Sequence, residues 1–138
     1  MVALGQVDLA GNDVVVKSIQ VGGQLAGRYP ATPAAVTQAT NRTTAVTINA
    51  STGQITTNNA SLAAEAAAAF TVNNSFVGAN DIIVLSQKSG ANGGATDVYV
   101  TAVAAGSFQI TVMNNNAAAG TAETGAIIIS FAVVKVQG

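Results

Sequence analysis

The sequence predicts an all-β domain of about eight strands. Apolar residues alternate with threonine, serine or asparagine through most of the chain, short Gly- and Asn-rich breaks interrupt the alternation, and no segment sustains a helical period. Alternation at period two is the mark of strands with one buried face, and closely spaced short strands with turn chemistry between them indicate a β-sandwich or barrel.

Taken in chain order, strands are expected near 13–20, 43–50, 53–58, 67–73, 81–87, 96–104, 107–113 and 126–136. In the second, Val46 and Ile48 alternate with Thr47 and Asn49. Ser51-Thr52-Gly53 reads as the turn into the third. The stretch from Ser61 to Ala69 has strong helix propensity, but it is too short to hold a helix alone, and Glu65 misses the capping-box spacing from Ser61 by one residue. It reads instead as a turn leading into a strand at Phe70 and Val72. Asn73-Asn74-Ser75 then reverses the chain, as do Ser89 to Gly94, Ala105-Gly106 and Asn114 to Asn116, because Gly and Asn accept positive φ cheaply. Phe108, Ile110 and Val112 alternate with Gln109, Thr111 and Met113, a β-branched and aromatic set suited to a pleated, half-buried surface.

The segment 126–136 differs from the others because both of its faces are apolar. Ile127, Ile129, Phe131 and Val133 form one; Ala126, Ile128, Ala132, Val134 and Val136 form the other. Two explanations stand for the second face: a loop folded over a central strand, or an interface with another subunit.

One domain over residues 1–138 is the default for a chain of this length. Hydrophobic residues make up 49% of it and charged ones only 8%, against about 25% in an average soluble protein. Such a chain can offset its ordering entropy by burial and is expected to fold. With a net charge of −1, however, little repulsion keeps copies apart, a composition suited to a protein fixed in an assembly. Residues 22–42 show little periodicity, and Gly22, Gly23, Gly27, Pro30 and Pro33 bracket Arg28 and Tyr29. A connection of that length is either an ordinary loop packed on its own domain or an extended arm lying on a neighbour.

Several chemistries are disfavoured. The five basic residues, Lys17, Arg28, Arg42, Lys88 and Lys135, are scattered, so no dense phosphate-neutralising patch is expected and nucleic acid is not a predicted partner. Histidine and cysteine are both absent, which removes the commonest general base, the activated thiol, triads and thiolate zinc sites. Among the six acids no pair stands out for carboxylate catalysis; Asp81 and Asp97 read as turn-ending residues that keep an exposed edge soluble. Asp8, Asn12 and Asp13 around Gly11 do not match a twelve-residue calcium loop, and Gly90 to Gly94 lacks the lysine that follows in a phosphate loop. No enzyme activity, cofactor or metal is therefore expected. The N-terminus does not read as a signal peptide, so the sequons at Asn41, Asn49, Asn59 and Asn73 carry no weight. The longest apolar run is well short of the roughly twenty residues a membrane span needs.

Thr43 to Thr57, Asn58 to Ala64 and Ala69 to Ser75 together resemble a module of bacteriophage virion proteins, and Val103 to Val112 and Ile127 to Lys135 resemble its final strands. Where the module's pattern has a glycine after Leu-Ala-Ala, this chain has Glu65. The resemblance implies an antiparallel, jelly-roll-like β-sandwich that decorates and cements the capsid, bound to the major capsid protein on the outer virion surface. It also implies an alternative, an adhesive module of a phage fibre or receptor-binding protein. Capsid symmetry favours self-complementary dimers, so a homodimer is expected, with a trimer as the other possibility. The expected interface residues are Arg28, Tyr29 and Pro30 on the arm and Ile128, Val134 and Val136 on the second face of the last strand.

Overall fold

The computed structural model describes residues 34–91 and 95–136, together with the backbone of two short strands upstream. Those two, β1 (Gln20–Val21) and β2 (Gln24–Leu25), pair antiparallel, with Gln20 opposite Leu25. The rest of the strand expected at 13–20 lies outside the described residues.

From residue 34 onward the chain builds a sandwich by shuttling between two sheets. The first contains β3 (Ala34–Thr37), β5 (Thr52–Thr56), β10 (Ile128–Val134) and β7 (Ile82–Ser89), side by side in that order. The second contains β4 (Val46–Thr47), β6 (Ala67–Asn73), β9 (Ser107–Asn114) and β8 (Thr96–Ala104) in that order. The fold is all-β; no helix forms among the described residues.

Burial follows the predicted alternation. Along β10, Ile129, Phe131 and Val133 are buried, while Ile128, Ser130 and Ala132 between them are half-buried and Val134 is exposed. On the facing sheet Ala68, Phe70 and Val72 of β6 and Phe108, Ile110 and Val112 of β9 supply the opposing layer. The two layers meet at Phe108 and Phe131, whose ring centroids lie 5.5 Å apart at a tilt of 53°. Full burial of each such side chain is worth about 1.5–3 kcal/mol, so these alternating positions are the main source of stability. The stretch from Ser61 becomes a turn at Ala64-Glu65 that enters β6 at Ala67, as the sequence predicts.

Three expectations are corrected. The inner strand pairs are antiparallel, but the edge pairs β3–β5 and β4–β6 are parallel, so the sheets are mixed and not antiparallel throughout. Parallel neighbours need a long crossover, and here a strand of the opposite sheet supplies it: β4 lies between β3 and β5 in the chain, β5 between β4 and β6.

Secondly, Gly53 does not make a turn. It sits inside β5, where an added Cβ would come within 2.8 Å of Ile48 Cδ1 and of Phe131 Cε1. Glycine is there because the core closes directly over the backbone.

Thirdly, the aperiodic segment 22–42 is not arm or loop throughout. Ala34–Thr37 is the strand β3, pairing with β5 in register Ala34 to Gly53, and Gln38 and Arg42 are buried in this domain. The strand escapes the sequence pattern because it is four residues long and its inward positions, Ala34 and Val36, are only half-buried.

Candidate interaction surface

The two ends of the sandwich are finished differently, and the difference locates the candidate surface. At the end where β10 begins, Arg42 reaches under the loops. Its guanidinium donates to the carbonyls of Ala60, Glu123 and Gly125 and to Thr57 Oγ1. Burial pulls its pKa below the ordinary arginine value and the charge of Glu123 opposes that pull. The Glu123 carboxylate, itself buried, accepts from Thr96 Oγ1 at 2.7 Å and from the Gly125 amide at 2.6 Å. Asn114 and Gln38 add side-chain bonds to the carbonyls of Leu62, Thr121, Arg42 and Thr44. Among the described residues no buried side-chain nitrogen or oxygen lacks a hydrogen-bond partner, which is the requirement for burying so many of them.

At the opposite end, β10 runs out beside the turn that precedes β7. Asp81 accepts from the Gly78 amide at 2.7 Å, from the Val136 amide at 3.1 Å and from Lys135 Nζ. Lys135 also donates to the carbonyl of Phe76. These bonds hold the Asp81 carboxyl below its ordinary pKa, the Lys135 bond first and the Gly78 amide next. Asp81 does end a turn, as expected, but it is buried and does not keep an edge soluble. Its effect is to pin residues 135 and 136 against the sheet.

Between these pinned segments lies an exposed apolar strip on the outer face of the first sheet. Register sets Val134 opposite Ile82 and Ala132 opposite Val84. Ile82 is 56% exposed, Val84 51%, Val134 47% and Val136 43%, values usual for lysine and not for aliphatic side chains. Further along the same strands the face turns polar, with Ser130 opposite Ser86. Cross-strand neighbours this close form one patch, and a contiguous apolar patch on a folded surface marks a contact site more often than an accident.

The predicted interface residues divide accordingly. Val134 belongs to the strip, and Val136, exposed two residues past the end of β10, follows it in the chain. Ile128 lies on the same face but at the far end of β10, half-buried between Thr56 and Ser89, and is not part of it. Arg28, Tyr29 and Pro30 lie outside the described residues. Sequence reasoning missed Ile82 and Val84, although the run Ile82-Ile83-Val84-Leu85 carries the same signal as the last strand, apolar side chains on both faces. It missed the Arg42–Glu123 assembly for a different reason: the partners are 81 residues apart and no local pattern joins them.

Among the described residues, no group of three or more His, Cys, Asp or Glu side chains gathers at a point. No helix among them is long and apolar enough to cross a membrane. Compared with family models, with curated proteins and with solved structures, the chain matches none.

Proposed function

We propose that this protein is a virion structural subunit that decorates and cements a bacteriophage capsid, with the outer face of β7 and β10 laid against the major capsid protein. The observation that carries the reading is the strip of Ile82, Val84 and Val134, aliphatic side chains held open to solvent on a rigid sheet, with Val136 exposed just past it. A cement subunit works by shape and non-polar contact at many identical sites, which requires a stiff scaffold with exposed apolar area and no moving parts. The resemblance of the strand sequences to a phage virion module points the same way, and so does a surface with a net charge of only −1.

Particles assembled without this chain, incubated with the purified protein, should take up hundreds of copies each. The pair Val134→Lys and Val136→Lys should reduce that occupancy at least tenfold while leaving the fold intact, since charge placed in a desolvated contact is expensive. Undiminished occupancy by the lysine variant would overturn the reading. Uptake of a few tens of copies or fewer would move the protein to the fibre class.

A further inference from the structure

We propose that strand β7 is a self-pairing edge, through which two copies of this chain join into a dimer with one continuous eight-stranded sheet. The four edges of the sandwich are not equally protected. β3 has four residues and β4 two, too short to template another strand. β8 carries a register shift between Val100 and Ala102, an irregularity that turns an edge away from partners. β7 has eight residues and no proline; its own register shift and its lysine both fall at Lys88, near the end, which leaves Ile82 to Gln87 regular. Over that stretch it lacks the devices that keep edges apart.

Burial points to the same side of the molecule. No residue of β7 is fully buried, and the inward-facing Ile83 and Leu85 remain half-exposed although they pack against the core. On β8, which lies alongside, Val98 and Val103 are in the same condition. Ala34 and Val36 at the opposite edge are half-buried too, but β3 offers only four residues of edge beside them where β7 offers eight.

A second copy suits this flank better than an unrelated strand. Around a two-fold axis normal to the sheet, residues directly opposite one another project to the same face. A pair centred on Leu85 then sets Val84 of one protomer against Ser86 of its partner, and brings the two Leu85 side chains together over the open flank. The two Lys88 residues, where the strand becomes irregular, fall at opposite ends of the pair. With Asp97 on the adjoining strand, the flank has no excess of either charge to oppose association. A flank about 26 Å long on sheets about 10 Å apart buries only a few hundred Å² per protomer, less than the roughly 800 Å² of a stable specific interface, so the pair is a weak one. The added main-chain hydrogen bonds therefore carry much of the affinity, and the dimer should dissociate on dilution.

This pairing does not depend on what the outer face binds. Light scattering on the full chain should show a mass approaching twice that of the monomer by about 100 µM, falling with dilution. The chain has no cysteine, so single cysteines report contacts without background. Val84→Cys and Ser86→Cys, mixed and oxidised, should cross-link to each other rapidly, since directly opposed strand residues have the Cα spacing a disulfide needs. Ala69→Cys, exposed on the central strand β6, should not. A monomer at every concentration, or cross-linking through residue 69 as fast as through β7, would overturn the inference. A monomer that still coats particles would overturn this inference alone, and a dimer that does not coat them would overturn only the capsid reading.

Discussion

The two ends of this sandwich handle charge in opposite ways. At one end Arg42 and Glu123 are buried together and bonded to backbone and to the Thr57 and Thr96 hydroxyls, so the loops close over a polar assembly. At the other, Asp81 is buried but Lys135 is 60% exposed, and the pair clamps the chain at the border of an open apolar strip. One end uses charge to seal the fold; the other uses it to present a surface. Seal and display place different demands on stability, and substitutions should separate them.

The largest effect is expected at the sealed end. Arg42→Ala leaves four oxygen acceptors without their donor in a buried site and removes the cation whose charge Glu123 feels, which should lower stability by about 3–5 kcal/mol. Denaturant unfolding measures this; a loss below about 1 kcal/mol would mean that water already serves the assembly.

At the other end Asp81→Asn should cost less, and its effect should depend on pH. Because the folded state holds the Asp81 carboxyl below its ordinary value, the ionised form stabilises the fold fully above the unfolded-state pKa of about 4. That contribution fades as pH falls through the depressed folded value. The asparagine variant should therefore be less stable than the parent at pH 7 and converge with it in strong acid. Parallel stability curves down to pH 2 would show that the ion pair does not clamp this end.

A smaller change, of opposite sign, is expected at Glu65. It has φ 60°, the one non-glycine residue with positive φ among those described, in the turn where its amide donates to the Asn114 carbonyl beside the sealed end. Left-handed backbone costs an L-residue roughly 1 kcal/mol, so Glu65→Gly should raise the unfolding midpoint modestly. A lowered midpoint would show that the Glu65 side chain contributes more than its backbone conformation costs.

The smallest stability change belongs to the display surface. Val134→Ser removes an exposed methyl pair and should leave stability within about 0.5 kcal/mol of the parent. If it destabilised the fold as much as Asp81→Asn does at pH 7, the strip would be core and not surface, and the contrast between the two ends would fail.

The regions the sequence made legible are those where one strand face is buried along its whole length. Phe70 and Val72, then Phe108, Ile110 and Val112, then Ile127, Ile129, Phe131 and Val133 fall at every second position, and each of them is buried. The second apolar face of 126–136 was legible too, because Val134 and Val136 have no place in a one-sided pattern. Ile82 and Val84 became readable as its continuation only once register set Ile82 beside Val134. The left-handed backbone at Glu65 was not readable from the residue itself, because glutamate carries no preference for positive φ.

By itself, then, the chain determined an all-β fold and most of its inner face, since a period of two is a property of neighbours along the strand and needs no distant partner. Tertiary structure alone decided the parallel edge pairs, the strand at Ala34–Thr37, the close approach over Gly53 and the burial of Arg42 against Glu123. Each of these depends on which segments meet across the sandwich, and contacts between residues tens of positions apart leave no periodic trace in the sequence.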